Sequence, residues 1–420
     1  MADSTAWPQE ITVDPVTGVV EFPVHHMRGG TSTGLVIHES MAPAEVSLRE
    51  ELLRHLMGVP LQGRHQGNRQ ITGLGRGPAT SNKVFLVATE NGEGRTRLVS
   101  TLAQLAADHA AIDWSVNCGN MSSALPLWAL DQGLFAPGVT RLEMDIRNTN
   151  TGVLTGSRLL VGDGGVLDMV EIPGVDGAFP GVDLFLYAPI GAKTGRLLPT
   201  GQRSDVVHGY TVSCVDVAVP MVIADAAEFG KTAQESIAEL EQDADFMQAL
   251  RALWIAAGEK MQLKRPDGQP MSREEIARSE TIPKVCIVGP ATGRGTIAAR
   301  YFTPQSGHAS MAVSGGCCLA AATLLPGTVA ARVAHGQGEC GPQWQETIIG
   351  IENPAGILES TVLARLGAEG LEVAKVAYRR NAQILARGHV PLYRATPALR
   401  QALLAMVATG GQADRRRSRG

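Results

Sequence analysis

Asn117-Cys118-Gly119-Asn120 opens the apolar run Ser122–Gln132, and Ser314-Gly315-Gly316-Cys317 opens a second, Gly316–Leu325. Both runs carry Ala, Leu and other small or apolar residues on every side, and a helix of that composition is enclosed by its neighbours instead of lying on a surface. Short stretches rich in β-branched residues surround each run, bounded by Gly, Pro, Asn or Asp. In the first half these are Gly18–Val24, Gly34–His38, Lys83–Thr89, Arg97–Thr101, Thr140–Ile146, Ser157–Val161 and Val166–Ile172. In the second they are Asp183–Tyr187, His208–Cys214, Met221–Ala224, Lys284–Val288, Thr296–Tyr301 and Gln345–Gly350. The pattern predicts an α/β (α+β) fold of two similar domains, each a curved β-sheet or barrel wrapped around its own central helix. Further helices are expected over Ser47–Met57, Thr232–Ala256, Val362–Ala368 and Pro397–Thr409, and Gln262–Pro283 reads as a polar loop. Residues 1–203 are the expected first domain and 204–384 the second, joined through Gly191–Gly201. The segment 385–410 is expected to pack back on the first, with 411–420 a disordered basic tail.

The 420 residues are 44% hydrophobic, enough for sizeable cores, and carry a net charge of −4 with both signs dispersed. That balance argues against a nucleic-acid partner. The N-terminal residues Met1–Glu10 lack the apolar stretch of a secretory signal. The run Met311–Leu325, broken by Ser314, Gly315 and Gly316, is shorter than the ~20 residues of a membrane span. Six cysteines form no C-x-x-C pair and no zinc-type Cys/His cluster. A cytoplasmic protein with reduced thiols, no metal and no membrane association is expected.

Cys118 stands at the first turn of an enclosed helix, where unpaired N–H groups and the helix dipole favour a thiolate. The adjacent Gly119 admits close approach of a ligand to the backbone. A small buried cysteine at a helix start reads equally well. Thr80-Ser81-Asn82-Lys83 leads directly into the strand Val84-Phe85-Leu86-Val87. A lysine there is ordinarily solvated, but in a closed cleft desolvation makes neutral amine available as a base. Arg28-Gly29-Gly30-Thr31-Ser32 reads as a turn offering N–H and hydroxyl donors to an anion. Its G-x-S-x-G match at Gly30–Gly34 lacks the helix that a hydrolase elbow requires. In the second half, Ser314-Gly315-Gly316 begins another anion-friendly turn, with His308 and Arg300 shortly before it. Cys317 and Cys318 read as core residues of the second helix.

These stretches together resemble the methylaconitate isomerase family, the PrpF family, with its relatives the oxalomesaconate tautomerases and methylitaconate isomerases. The resemblance rests on Met27–Ser32, Thr80–Lys83, Asn117–Asn120, Asn148–Gly152, Lys193–Gly201, Ile282–Val285 and His308 through Thr328, in family order across most of the chain. It implies a diaminopimelate-epimerase-like fold with the active site in the cleft between the domains. It implies Lys83 and Cys118 as the catalytic acid/base pair and no cofactor. Carboxylate and enolate oxygens would be held by Arg28, Gly30, Thr31, Ser32, Ser81, Asn82, Gly119 and Asn120, and by Arg300, His308, Ser314, Gly315 and Gly316. The partners expected are a small unsaturated carboxylic acid and, in assembly, a second copy of the chain. Two departures stand out: Thr33 and Val153 occupy positions where the family carries basic residues, which implies a substrate with fewer carboxylates or one bound differently. A two-cysteine racemase or epimerase using Cys317 or Cys318, and a ligand-binding protein that keeps only the fold, are the alternatives.

Overall fold

The structure, a computed structural model, describes residues 10–77, 79–92, 95–135, 142–162, 165–265, 267–336, 340–368 and 370–417. Most of the N-terminal segment Met1–Glu10, Thr140 and the last three residues of the expected tail lie outside them. The described chain divides into two compact units. The first contains the residues up to Glu171, Val175–Leu184 and those from Arg380 onward, and the second contains Ile172–Gly174 and Phe185–Arg379.

In the first unit Val20–Gly29 runs antiparallel to Ser32–His38, which is parallel to Lys83–Gly92. Lys83–Gly92 is antiparallel to Arg95–Ala106, which is parallel to Leu142–Asn148. Leu142–Asn148 is antiparallel to Leu154–Leu159, which pairs with Val175–Tyr187. That strand pairs with Gly370–Pro391, which returns antiparallel to Val20–Gly29 and closes an 8-strand barrel. A closed barrel leaves no exposed edge. It encloses the helical segments Gly119–Ser122 and Ala124–Asp131, which meet at Ser123, still in helical conformation. Pro126 explains the seam, because it has no N–H to offer the carbonyl of Ser122.

The second unit repeats this succession. Tyr210–Val217 is antiparallel to Val219–Asp225, then come Lys284–Gly289 (parallel), Ile297–Thr303 (antiparallel), Gln345–Asn353 (parallel) and Gly356–Gly367 (antiparallel). Its central helix, Val313–Thr323, is buried from Gly315 to Thr323. The two enclosed helices and the barrel-type sheets are those expected from the small-residue runs.

Outside the first barrel, alternate strand residues face a second layer. Phe22, Val24, Leu35, Ile37, Val84 and Leu86 pack there beneath the helices Val46–Met57 and Pro397–Arg417. Leu52, Leu53, Leu56 and Met57 recur at helical spacing and form the buried face of Val46–Met57. Gly58, in the left-handed region, ends that helix.

Several elements depart from expectation. Val362–Ala368 is not a helix: it falls in the strand Gly356–Gly367, which forms a hairpin with Gly370–Pro391. Apolar residues at Val362, Leu363 and Leu366 imitate helical spacing, but strand neighbours on both sides supply the hydrogen bonds. Thr232–Ala256 is split into Ile237–Gln242 and Ala244–Lys260, because Ser236 and Asp243 each cap a new helix start. The polar loop Gln262–Pro283 contains the short helix Arg273–Arg278, capped reciprocally by Ser272 and Glu275. The final helix continues through Arg417, across most of the segment expected to be disordered. Its Ala, Gln and Arg content favours helix.

Adjacent histidines separate the two faces of the first strand. His25 points to the central helix, where its Nε2 lies 3.0 Å from Oδ2 of Asp131 and its ring stands edge-on to Trp128. His26 faces the other way, and its buried Nε2 has no hydrogen-bond partner among the described residues. Burial, with Arg76 adding to it, lowers the His26 pKa from 6.5 to about 4. The folded state therefore resists a proton that the unfolded chain accepts below pH 6.5. The resulting stabilisation is complete above that pH and is lost as pH falls towards 4. We expect His26→Leu to gain about 2 kcal/mol on the wild type between pH 7 and 4.5, measured by urea unfolding at both values. An unchanged difference would show that the imidazole is not held neutral.

Candidate active site

Cys118 caps the first central helix. Its backbone is extended, its Sγ accepts the N–H of Met121 at 3.4 Å, and its carbonyl accepts both the N–H and the hydroxyl of Ser122 at 2.9 Å. Sulfur thus stands where Ser or Asp oxygen usually caps a helix. Asn117 fixes the approach by accepting the Cys118 N–H on Oδ1 at 2.7 Å. The N–H groups of Gly119 and Asn120, first in the helix, have no acceptor within it.

Lys83 reaches the same place by strand register. Gly34 and Lys83 are partners in a parallel ladder, so their side-chain positions share a face. Ser32, two residues from Gly34, is on that face as well, and its Oγ lies 3.8 Å from the Cys118 sulfur. A side chain at position 34 would collide with the Lys83 backbone and stand 3.0 Å from its Cβ, which accounts for the glycine. Lys83 is 6% exposed. Burial pushes its pKa below the ordinary 10.5, and the negative charge of Cys118 opposes part of that shift. The amine thus lies close enough to Cys118 to feel a charge there.

The helix start and the Gly30–Ser32 turn are tied together. Asn120 donates from Nδ2 to the Thr31 hydroxyl at 3.1 Å and accepts the Nε–H of Arg380 on Oδ1 at 2.8 Å. Gly30, at φ +52, donates its N–H to the Asn381 carbonyl at 2.9 Å. The first unit thus assembles Gly30, Thr31, Ser32, Lys83, Cys118, Gly119 and Asn120, with Ser81 on the short turn just before Lys83.

Two expected ligand residues of this unit make hydrogen bonds within the protein. Arg28 is buried and donates from Nη1 to the carbonyl of Gly30 and to Oδ1 of Asn381, and its guanidinium lies over the Phe179 ring. It holds the turn from beneath. Asn82 is wholly buried, with its amide engaged by Gln70 and the Gly77 carbonyl. It anchors the loop ahead of Lys83. Asn150, from another motif stretch, pairs its side-chain amide with both the N–H and the carbonyl of Leu102, standing in for a strand neighbour. Thr33 lies on the opposite face of its strand from Ser32, so its difference from the family pattern does not alter the Ser32 face. Val153 is 46% exposed.

In the second unit Arg300 donates to the carbonyls of Glu235 and Ala299. His308 accepts the Ser310 N–H on Nδ1 at 3.0 Å and sits edge-on to Tyr301, and burial lowers its pKa. Gly315 and Gly316 owe their identity to packing, since added side chains would meet the Tyr301 ring and Leu358. The Gly316 N–H is donated to the Ala312 carbonyl, so it is not open to an anion. Ser314 remains half-exposed at the helix start. Cys317 and Cys318 are completely buried, and the Cys318 thiol donates to the Val215 carbonyl. Burial also pushes the Cys318 thiol far up. These are core cysteines, and the two-cysteine racemase loses its second thiol.

Arg380 was not anticipated. Its signal was the pair Arg379-Arg380: in a strand one of two neighbours must face inward, but the strand itself was not recognised. Among the described residues no group of three or more His, Cys, Asp or Glu side chains is placed to hold a metal ion. No described helix is long and apolar enough to cross a membrane. A cavity of about 410 Å³ beside Gly58 and Tyr393 is lined by none of the assembled residues.

Residues 19–393 match the model of the family described as PrpF protein. The chain is 30% identical over 342 residues to the 4-oxalomesaconate tautomerase of Pseudomonas putida, covering 81% of this chain and 88% of that one. It is 27% identical over 385 residues to the 3-methylitaconate isomerase of Eubacterium barkeri, covering 88% and 96%. A crystal structure of methylitaconate-delta-isomerase superposes with a TM-score of 0.71 at 25% identity, over 88% of this chain and 95% of the other.

Proposed function

The chain belongs to the PrpF family and is an isomerase; from that premise we propose that it moves a proton along a small unsaturated polycarboxylic acid of the oxalomesaconate, methylitaconate or methylaconitate type. The juxtaposition of Lys83 with Cys118 at the mouth of an enclosed helix carries this reading. One group of the pair takes a proton from carbon next to the alkene. The C–H electron pair becomes a new double bond, and the old π pair moves toward a carboxylate or carbonyl oxygen. The electron pair then returns from that oxygen to the distal carbon, where it bonds the proton that the other group delivers. Atoms and charge balance, and the pair is reset by proton exchange.

The intermediate is electron-rich, and the N–H groups of Gly119 and Asn120 with the hydroxyls of Thr31 and Ser32 are the donors offered to it. A positioned acid–base pair contributes roughly 10²–10⁴-fold, and one well-aimed oxyanion donor about 10²–10³-fold. Only together, and near the top of both ranges, do they reach the ~10⁶-fold at the low end of enzymatic acceleration. The chemistry requires neither metal nor organic cofactor.

The test is incubation of the full chain in heavy water with unsaturated di- and tricarboxylic acids, followed by NMR. The expected result is deuterium at the carbon that gains hydrogen, together with a moved double bond. Should none of these acids exchange or isomerise, the substrate assignment fails.

A further inference from the structure

We propose that the cavity of about 410 Å³ in the outer layer of the first unit is a second ligand site, which takes a small organic acid with its carboxylate on Arg394 and its apolar body against Leu61, Val390 and Leu392. Neither Lys83 nor Cys118 lines it, so the site is independent of the isomerase reading. Two pieces of chain form its walls. The helix Val46–Met57 ends at Gly58 and turns out through Val59-Pro60-Leu61, and the strand Gly370–Pro391 runs on into Leu392-Tyr393-Arg394. The end of a helix ordinarily presents carbonyl oxygens, which repel an anion. Here those oxygens are occupied. The Leu56 carbonyl accepts the N–H of Leu74, and that of Met57 accepts the N–H of Gly75 and Nε2 of Gln70. The Gly58 carbonyl accepts Nδ2 of Asn68.

The charge left on the walls is positive. Arg54, His55, His65 and Arg394 line the cavity, and among the described residues no Asp or Glu does. Arg54 is held by Glu50 and His55 by Glu51. The Arg394 guanidinium forms no ion pair or hydrogen bond with a described residue. It lies close to His55 all the same: burial chiefly lowers the His55 pKa, Glu51 opposes that, and the charge of Arg394 adds to the lowering. A guanidinium whose fork is unengaged matches a carboxylate with two parallel bonds. Tyr393, 76% exposed, leaves an aromatic surface uncovered at the rim. The volume falls within the roughly 300–1,000 Å³ of small-molecule sites, where an apolar lining carries a few polar groups that fix orientation.

The experiment titrates the full chain, labelled at Leu and Val methyl groups, with benzoate, and with benzyl alcohol and benzylammonium as neutral and cationic counterparts of the same body. Benzoate should move the methyl signals of Val59, Leu61, Val390 and Leu392 in a saturable way, and the other two compounds should not. Arg394 is exposed, so Arg394→Gln should melt like the wild type. It should bind benzoate about 10- to 100-fold more weakly, the size of a hydrogen-bonded charge pair. Cys118→Ser should bind benzoate as the wild type does, which separates this site from the isomerase centre. The assignment is overturned if benzoate does not saturate these signals, if Arg394→Gln binds it unchanged, if the alcohol binds equally well, or if Cys118→Ser abolishes the shifts.

Discussion

Lys83→Met and Cys118→Ser should each slow solvent-deuterium incorporation by about 10²–10⁴-fold, and the double variant should be scarcely slower than either alone. Groups that act as one unit are not additive, since removing either stops the proton relay. Both substitutions are chosen to spare the fold. A serine oxygen at position 118 can still accept the Met121 N–H and cap the helix, but it is far too weak an acid to share a proton with an amine. Methionine keeps most of the length of the buried Lys83 side chain. Burial holds the Lys83 pKa below 10.5, so the site disfavours the charged form of this amine. Removing a buried ionisable amine should leave thermal stability unchanged or raise it while activity collapses, the trade-off characteristic of functional groups. A structural lysine would show the reverse: lost stability, with turnover falling only in proportion to the folded fraction. Retention of near-normal exchange by both single variants would remove the pair from the mechanism.

The enclosed helices were legible because their composition leaves no polar face, so each needs a curved sheet to cover it. The candidate pair Lys83 and Cys118 came from the family resemblance: by itself the lysine read as ordinarily solvated and the cysteine equally well as a small buried residue at a helix start. What the sequence concealed was which polar residues of the motifs are engaged within the protein. Arg28 and Asn82 are polar residues inside strong motifs, and nothing local distinguishes a buried brace from an exposed donor. Only the coordinates show that Asn381 accepts from one Arg28 nitrogen and that Gln70 donates to Asn82. Gly315 and Gly316 are a parallel case, looking like an anion turn but shaped by Tyr301 and Leu358. The strand Gly370–Pro391 was missed because its polar residues, Glu372, Lys375, Arg379 and Arg380, blur the alternation that marks a strand. Arg380 was hidden along with it.

Gly29→Ala should do more damage than its single added methyl suggests. The glycine is not in the left-handed region, so alanine faces no conformational penalty, and the whole effect must be steric. Its Cβ would stand 2.6 Å from the Asn120 carbonyl oxygen, 2.9 Å from that of Met121 and 3.0 Å from the Ala124 nitrogen. All three are backbone atoms of the central helix, and none can turn aside as a flexible side chain would. The helix itself has to retreat from the strand. Overpacking of this kind costs about 1–3 kcal/mol, which should appear as a lowered melting temperature. The larger effect falls on turnover, because Cys118 rides on the start of this helix whereas Lys83 is held by strand register. A misplacement of ~1 Å between reacting groups can cost about 10²-fold in rate. Gly388→Ala is the matched control, a position in the same sheet with nothing within 4 Å of the added carbon, and it should change neither quantity. If Gly29→Ala melts and turns over like that control, the helix is not seated on the glycine, and close contact between strand and helix is not what brings thiol and amine together.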